Sequence, residues 1–557
     1  MAYLKSKTLF FTTSPRTPLK MIPEIQVLYN NFDGEKWNTN TQVEFIKKLA
    51  EGSDFAGKGS EKNMAFSARD RINRAPKSLG FVDLKPYIKL TEAGENFISG
   101  KRTEEVLLRQ LLKFQLPSPY HKEPEEFKGI FCVKPYLEIF RLIYELGTIS
   151  YDELMIFGMQ LTHYNKFDSI VAEIKTFRRM RLYAEMSYKM FRGKYLKEQV
   201  ERIYADDINE GKTKTRESRD KSIDKFVTTK SRNLRDYADA CFRYLRATGM
   251  VEISQRGHSI SIMPEKRKEV EFFLSMVDRK PIYIDDEANY KKYLFDGSIP
   301  ELYSDNRLRL IEHVQEVTGK SSGLEEQTTN ELKDILENAI ANKKKKIISK
   351  QIKELKEYKN YADVMDTFGD IKNNVLYDAP LMLEWNIWRA MTMLDGGEIK
   401  ANLKFDDKGQ PMSTAAGNMS DIVCDYGDFG LAVEVTMQSG QKQYETEGEP
   451  VSRHLAKLKK ETGRDALFIA PKINESCIAY FYALHTMNIA FYGGKSVIVP
   501  LELDVFINMV EQSYKAGYEP NSQQVKSIFE YSLEQAKKSV DENEWYAKVK
   551  DKALNWL

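Results

Sequence analysis

The segment GLAVEVT (430–436) carries one charge, Glu434, inside an otherwise apolar run. Short β-branched runs bounded by turn residues read as buried strands, and a carboxylate inside one is costly unless it is paired or binds a cation. Upstream stands Asp421, at the head of DIVCDY, where a hairpin places it beside Glu434. Two carboxylates on adjacent strands form a hard-oxygen site of the kind that takes Mg²⁺ together with a substrate phosphate. The plainer reading has Asp421 capping a strand or turn and Glu434 salt-bridged to a neighbour. Spacing alone leaves both open.

The flanking segments add to the first reading. Beyond residue 370 the order is helix 380–394, a strand from about Asp421, strand 430–436, helix 450–462, strand 466–470, helix 475–486, strand 496–501 and C-terminal helices, which predicts one small mixed sheet. On the helix LMLEWNIWRAM (381–391), Leu381, Glu384, Trp385 and Trp388 recur at i, i+3, i+4 and i+7. That spacing sets Glu384 at the edge of the apolar stripe, toward the sheet. On the helix opened by Pro450, Val451, His454, Leu455 and Leu458 repeat it, so His454 also faces inward, and Glu447 lies just ahead. A lone inward histidine is more often a satisfied core residue than a catalytic one. Rival chemistry is weak: there is no P-loop, GxSxG or HExxH, and AAGN (415–418) and YGGK (492–495) are too short to imply nucleotide binding.

At 557 residues the chain exceeds what one hydrophobic core organises. Its net charge of +2 hides an asymmetry: residues 1–280 hold 50 Lys and Arg against 38 Asp and Glu (+12), and residues 281–557 hold 34 against 44 (−10). The first half suits a polyanion. It reads as basic, aromatic helices broken by short β-wings. A helix-turn-helix fits 135–161, with Leu137, Phe140, Ile143 and Tyr144 on one stripe, a turn at Gly147 and Ser150 as N-cap. A helix to about Thr248, Gly249 as its C-cap and two strands around Arg256-Gly257 fit 235–263, and 68–98 gives a third such outline with a turn at Lys85-Pro86. The expected division is 1–280, a winged-helix-like region; 281–370, a helical spacer built on 331–358; and 371–557, an α/β domain. The Lys343–Lys346 run on the spacer reads first as a solvated face.

Cys132, Cys241, Cys424 and Cys477 are scattered with no CxxC pair, which disfavours disulfides and zinc. With no signal-like N-terminus and no run of about 18 apolar residues, the expectation is a cytoplasmic bacterial protein without membrane association.

Several strings together resemble one family. LEWNIWRA (383–390), AAGNMSDI (415–422), VEVTMQSG (433–440), EGEPVSRH (447–454) and FIAPKI (468–473), with TSPRTPLKMIPEI (13–25), ARDRINRAPKSLGF (68–81) and LLKFQLPSPYH (111–121), resemble the AlwI-type type IIS restriction endonucleases. The resemblance spans nearly the whole chain. It implies a multidomain α+β protein with an N-terminal DNA-recognition region, a helical linker and a C-terminal PD-(D/E)xK nuclease domain. It also implies recognition of a short asymmetric site in double-stranded DNA and Mg²⁺-dependent cleavage a few base pairs outside it.

By that resemblance Asp421 and Glu434 are the metal-binding acids, joined by the Val435 carbonyl for one or two Mg²⁺ ions. Glu384, Glu447 and His454 stand in positions that the family's active site also uses. Ser420 replaces the usual Pro, and Thr436 stands where the motif Lys falls, which leaves the general base to His454, Lys457 or a metal-bound water. Arg16, Arg69, Arg71 and Arg74 are the candidate base readers, because Arg bonds guanine O6 and N7 with two donors. Lys77, Lys113, Arg232 and Arg243 are expected at phosphates. The bland reading of each is a solvated surface charge. One site cuts one strand at a time, so transient homodimerisation through the C-terminal domain is expected, with a cognate DNA methyltransferase protecting host DNA without a stable complex. The alternatives are a strand-specific nicking enzyme of the same family, or a non-catalytic winged-helix regulator. The charge asymmetry predicts that a 1–280 fragment retards duplex DNA in a gel-shift assay and that a 281–557 fragment binds poorly.

Overall fold

Where Arg69, Arg71 and Arg74 precede two short extended runs, the chain forms helix α1 (Glu61–Ile72), one further helical turn (Ala75–Ser78) and an antiparallel pair, β1 (Val82–Asp83) and β2 (Lys89–Leu90). The computed structural model describes residues 2–52, 61–254, 257–394, 397–415, 419–462, 465–517 and 522–557. It is mixed α and β and divides into two units, Met1–Ala339 and Ile340–Leu557. Among the described residues, no helix is long and apolar enough to cross a membrane. All four cysteines are free thiols.

In the first unit, helix α2 (Thr103–Lys113) buries Leu107, Leu108, Leu111 and Leu112. Its charged residues are internal too. Arg109 donates to Glu105 at 2.7 Å and to Asp305 at 2.7 and 2.8 Å, and Lys333 reaches the same two acids at 2.7 and 2.9 Å. Lys113 is completely buried, and its ammonium donates to the carbonyls of Asp296 (2.6 Å), Leu294 (3.1 Å) and Tyr293 (3.4 Å). Burial lowers its pKa to about 7. The structure does not place Lys113 at the surface as a phosphate contact would need: it is buried and holds a loop in place.

The helix-turn-helix of 135–161 and the helix-and-hairpin of 235–263 are one structure, not two copies. Helix α3 (Pro135–Leu146) ends at Gly147, whose φ of +75° suits glycine. Strand β3 (Thr148–Ser150) follows. Ser150 caps helix α4 (Tyr151–Ile156) through a reciprocal pair: its hydroxyl accepts from the Glu153 N–H at 3.1 Å, and its own N–H donates to the Glu153 carboxylate at 2.8 Å. Helices α5 (Phe167–Leu182) and α6 (Tyr188–Ile203) intervene. Then α7 (Ile223–Arg246), ended near Gly249 at φ +68°, leads into β4 (Val251–Ser254) and β5 (Ser259–Ile262). Arg256, at the expected wing turn, lies outside the described residues. Strand β5 sits between β3 and β4, both antiparallel, so Ile149 and Ile253 both pair with Ile260. A sequence reading sees local patterns, and only the sheet shows that these two segments share it.

Helix α8 (Thr329–Lys356) runs through the boundary between the units. Its 28 residues span about 42 Å at 1.5 Å each. Residues 281–339 belong to the first unit and 340–370 to the second. At the observed division the charges are 56 Lys and Arg against 51 Asp and Glu (+5), and 28 against 31 (−3). The acidic stretch after 280 thus offsets much of the basic excess, through Asp305 on Arg109 and Glu316 on Lys268 among others. In the Lys343–Lys346 run, Lys344 binds the Phe405 carbonyl (3.0 Å) and Asp407 (3.3 Å), and its neighbours are exposed.

The second unit is built on helix α9 (Ala379–Leu394) and a five-stranded sheet in chain order. Its strands are β6 (Glu398–Ala401), β7 (Ile422–Asp425), β8 (Gly430–Val435), β9 (Asp465–Ala470) and β10 (Ile498–Glu502). Strands β6, β7 and β8 are antiparallel neighbours. Strands β8, β9 and β10 are parallel, connected by α10 (Glu449–Thr462) and α11 (Glu475–Thr486). Helix α9 is buried all round rather than along one stripe, and its Asn386 and Trp388 side chains bond the Val364 and Ile399 carbonyls. Strand β6 is absent from the sequence reading.

Lys113→Met leaves buried carbonyls without a donor and is expected to destabilise the protein by about 2–3 kcal/mol, measured by denaturant melting. The salt slope of DNA binding at a permissive temperature should stay that of wild type.

Candidate active site

The register of β7 on β8 builds the site. Ile422 pairs with Val433, so Asp421 and Glu434, one step further along the ladder, point to the same face. The Asp421 Oδ2 accepts the Val435 N–H at 2.8 Å. Glu434 is 7% exposed and meets His454 Nδ1 at 3.0 Å. His454 reaches it because Val451 and Leu455 anchor α10 in the core. A hydrogen-bonded neighbour for Glu434, close to the plainer reading, and the paired acids therefore exist together.

Two more carboxylates close on the pair. Glu384, 3% exposed on α9, accepts the Ala415 N–H at 2.9 Å. Glu447 lies in a π-helical turn, Tyr444–Gly448, ahead of α10, and accepts the Thr436 hydroxyl at 3.1 Å. Thr436, where the motif Lys was expected, is two residues past Glu434 on the same strand face and holds an acid in place.

Burial and mutual repulsion keep these acids from ionising freely. Burial, more than the Glu434 and Asp378 charges, raises Glu384 to about 8 despite the Ala415 N–H. Asp421 is pushed well above the carboxylate range, first by burial and then by Glu384 and Glu434. Glu434 is also raised by burial, with His454 and Ser420 pulling it back. Glu447 is raised to about 6, mainly by burial. Among the described residues, no three His, Cys, Asp or Glu side chains stand close enough to hold a metal ion as they are. The donor set nonetheless fits a hard cation: its ligands are carboxylate oxygens, and its acids crowd one another in a way that positive charge relieves.

Sequence reasoning missed the cleft of about 260 Å³ beside His454, lined by Lys400, Asn402, Met419, Ser420 and Lys457 among others. Lys400 pairs with Val423 across the β6–β7 ladder, on the face that carries Asp421. Without β6 there was no way to place it.

The expected DNA contacts lie in the first unit. Arg16 bonds Asp236 (3.2 Å) and Asp239 (3.4 Å). Arg71 is paired with buried Glu24, Arg74 with Asp70 (2.5 Å) and Arg243 with Asp239 (3.1 Å). Arg69 is exposed and donates to Gln42 at 2.7 Å. Lys77 is half-buried, 4.5 Å from the Tyr120 ring centre, with its pKa lowered by burial. Arg232 is exposed on α7.

The raised acids give a signed pH dependence. A folded pKa above the unfolded value near 4.5 contributes stability that is present below that value and lost as pH rises through the folded pKa, here from about 4.5 to about 8. In EDTA the second unit's melting midpoint should fall across that window. Glu384→Gln should flatten the fall, and Mg²⁺ should raise the midpoint more at pH 8 than at pH 5.

A search of curated proteins finds no match. Among solved structures, the small subunit of the heterodimeric restriction endonuclease R.BspD6I is similar at 25% identity and TM-score 0.28, over 35% of this chain and 95% of that one. The BpuJ1 endonuclease binding domain, solved with pyrene- and phenanthrene-modified DNA, is similar at 12% identity and TM-score 0.31, over 50% of this chain and 87% of that one. Both superpositions are too loose to inform the fold. The model of the AlwI restriction endonuclease family matches residues 77–509, and by that match the chain belongs to the AlwI restriction endonuclease family.

Proposed function

We propose that the protein is a type IIS restriction endonuclease, which recognises a short asymmetric site in double-stranded DNA and hydrolyses phosphodiester bonds a few base pairs outside it. The observation that carries this reading is the pairing of Asp421 with Glu434 on one hairpin face, ringed by Glu384, Glu447 and His454. That arrangement fits a PD-(D/E)xK site with Thr436 in place of the Lys. Asp421, Glu434 and the Val435 carbonyl would hold Mg²⁺, and Glu384 and Glu447 would serve a second ion. A magnesium ion held by these residues would lower the pKa of water and offset charge on the phosphate.

The chain's own residues supply the rest. The Val435 N–H orients Asp421, and the Thr436 hydroxyl orients Glu447. The general base falls to His454, which meets Glu434 at 3.0 Å, to Lys457 at the cleft, or to a metal-bound water. Lys400 and Lys457 line the cleft beside His454, where they would attract a phosphate of the bound strand. In the first unit, β3, β4 and β5 with α3, α4 and α7 have the order of a winged helix, and exposed Arg69, Arg74 and Arg232 contact the duplex. Helix α8 serves as the spacer that sets the cut offset. Double-strand cleavage calls for two nuclease domains to pair transiently, and a cognate methyltransferase protects host DNA in the same cytoplasm.

Plasmid digestion tests the reading. Wild type should give linear products with Mg²⁺ and none with EDTA, and Asp421→Ala should slow cleavage by at least about 100-fold while duplex binding in EDTA is unchanged. Cleavage by Asp421→Ala at the wild-type rate would remove the assignment. Nicked circles that accumulate without linear DNA would mark a nicking enzyme.

A further inference from the structure

We propose that α7 reads DNA bases, with Arg232 and Arg235 as the specificity-determining residues. Arg235 belongs to no expected contact set. The inference rests on the reading that this chain binds a specific DNA site.

Three observations converge on this helix. First, Asp224, Thr228, Arg232 and Arg235 are exposed at i, i+4, i+8 and i+11, and Phe226, Val227, Leu234, Ala238 and Cys241 are buried behind them. This is one solvent-facing stripe on a helix whose far end is fixed by the β3–β5–β4 sheet. Second, the stripe borders an open cleft of about 470 Å³ between α6 and α7, lined by Gly193, Thr228, Ser231, Arg232 and Arg235 among others. Asp224, the acid among its lining residues, is held by Lys197 at 3.7 Å and not by either arginine. Third, among the described residues neither guanidinium has an acid within ion-pair distance.

The contrast with Arg71 supports the assignment. Arg71 would have to leave buried Glu24, stranding a carboxylate in the core at a cost of about 3–5 kcal/mol. A bidentate guanine contact is worth about 1–3 kcal/mol of discrimination and does not repay that. Arg16 and Arg74 pair with acids nearer the surface, where a pair is cheap to exchange, Arg243 pairs with Asp239, and Arg69 donates to Gln42. Arg232 and Arg235 break no pair when they bind. At i and i+3 their Cβ atoms stand about 5–6 Å apart, one to two base steps at 3.4 Å each, and a helix fits the major groove.

The test selects duplexes from a pool of 30-bp DNAs with a randomised centre, using the full-length protein in EDTA. Wild type should enrich a defined motif. Arg232→Ala and Arg235→Ala should each relax one guanine position by about tenfold or more while other positions persist. Arg235→Lys, which keeps the charge and the fold but not the paired donors, should relax the same position as Arg235→Ala. Variants that enrich the wild-type motif, or that lose affinity equally for all sequences, overturn the inference and leave site-specific binding standing. If wild type enriches no motif, both fall together.

Discussion

Four acids placed within reach of one another are the constraint on which the second unit depends. Asp421 and Glu434 are brought together by strand register, so their proximity is as fixed as the hydrogen bonds of the β7–β8 ladder. The surrounding groups restrain them: a backbone N–H on Asp421, another on Glu384, a hydroxyl on Glu447 and an imidazole on Glu434. Each restraint occupies one face of a carboxylate. The repulsion that remains makes the cluster a place for positive charge and costs the fold stability when none is present.

The centre of this unit was legible because its signals are local. A single acid in an apolar strand, an acid upstream at hairpin distance, and an acid and a histidine at helical spacing needed no partner information to be noticed, and Glu384, Asp421, Glu434, Glu447 and His454 lie close enough to feel one another's charge. Strand β6 was not legible: EIKA is short and half-charged, and only its pairing with β7 makes it a strand. Lys400 and its cleft were lost with it.

The first unit was harder for the same reason. Ser150 announces an N-cap, and Gly147 and Gly249 announce helix ends, so individual elements were placed well. That β5 inserts between β3 and β4 is a long-range fact, more than a hundred residues of chain apart, with α5 and α6 between. Charge misled in a related way. The basic excess of residues 1–280 is real, but part of it is spoken for by acids that lie later in the sequence and pack within the same unit, as Arg109 shows with Asp305. Lys113 is the extreme case: a cation in a basic stretch that faces carbonyls, not solvent.

Lys113 also bears on how the two units respond to solution conditions. Its folded pKa lies below the unfolded value, and half-buried His121, lowered to about 4, follows the same rule, so both groups make the first unit more stable as pH rises, His121 above about 4 and Lys113 above about 7. The acid cluster of the second unit gains stability in the opposite direction. One chain therefore carries two titrations of opposing slope. Raising the pH therefore favours the fold at Lys113 and His121 in the first unit while it weakens the acid cluster of the second, so one change of buffer acts on the two at these groups in opposite senses.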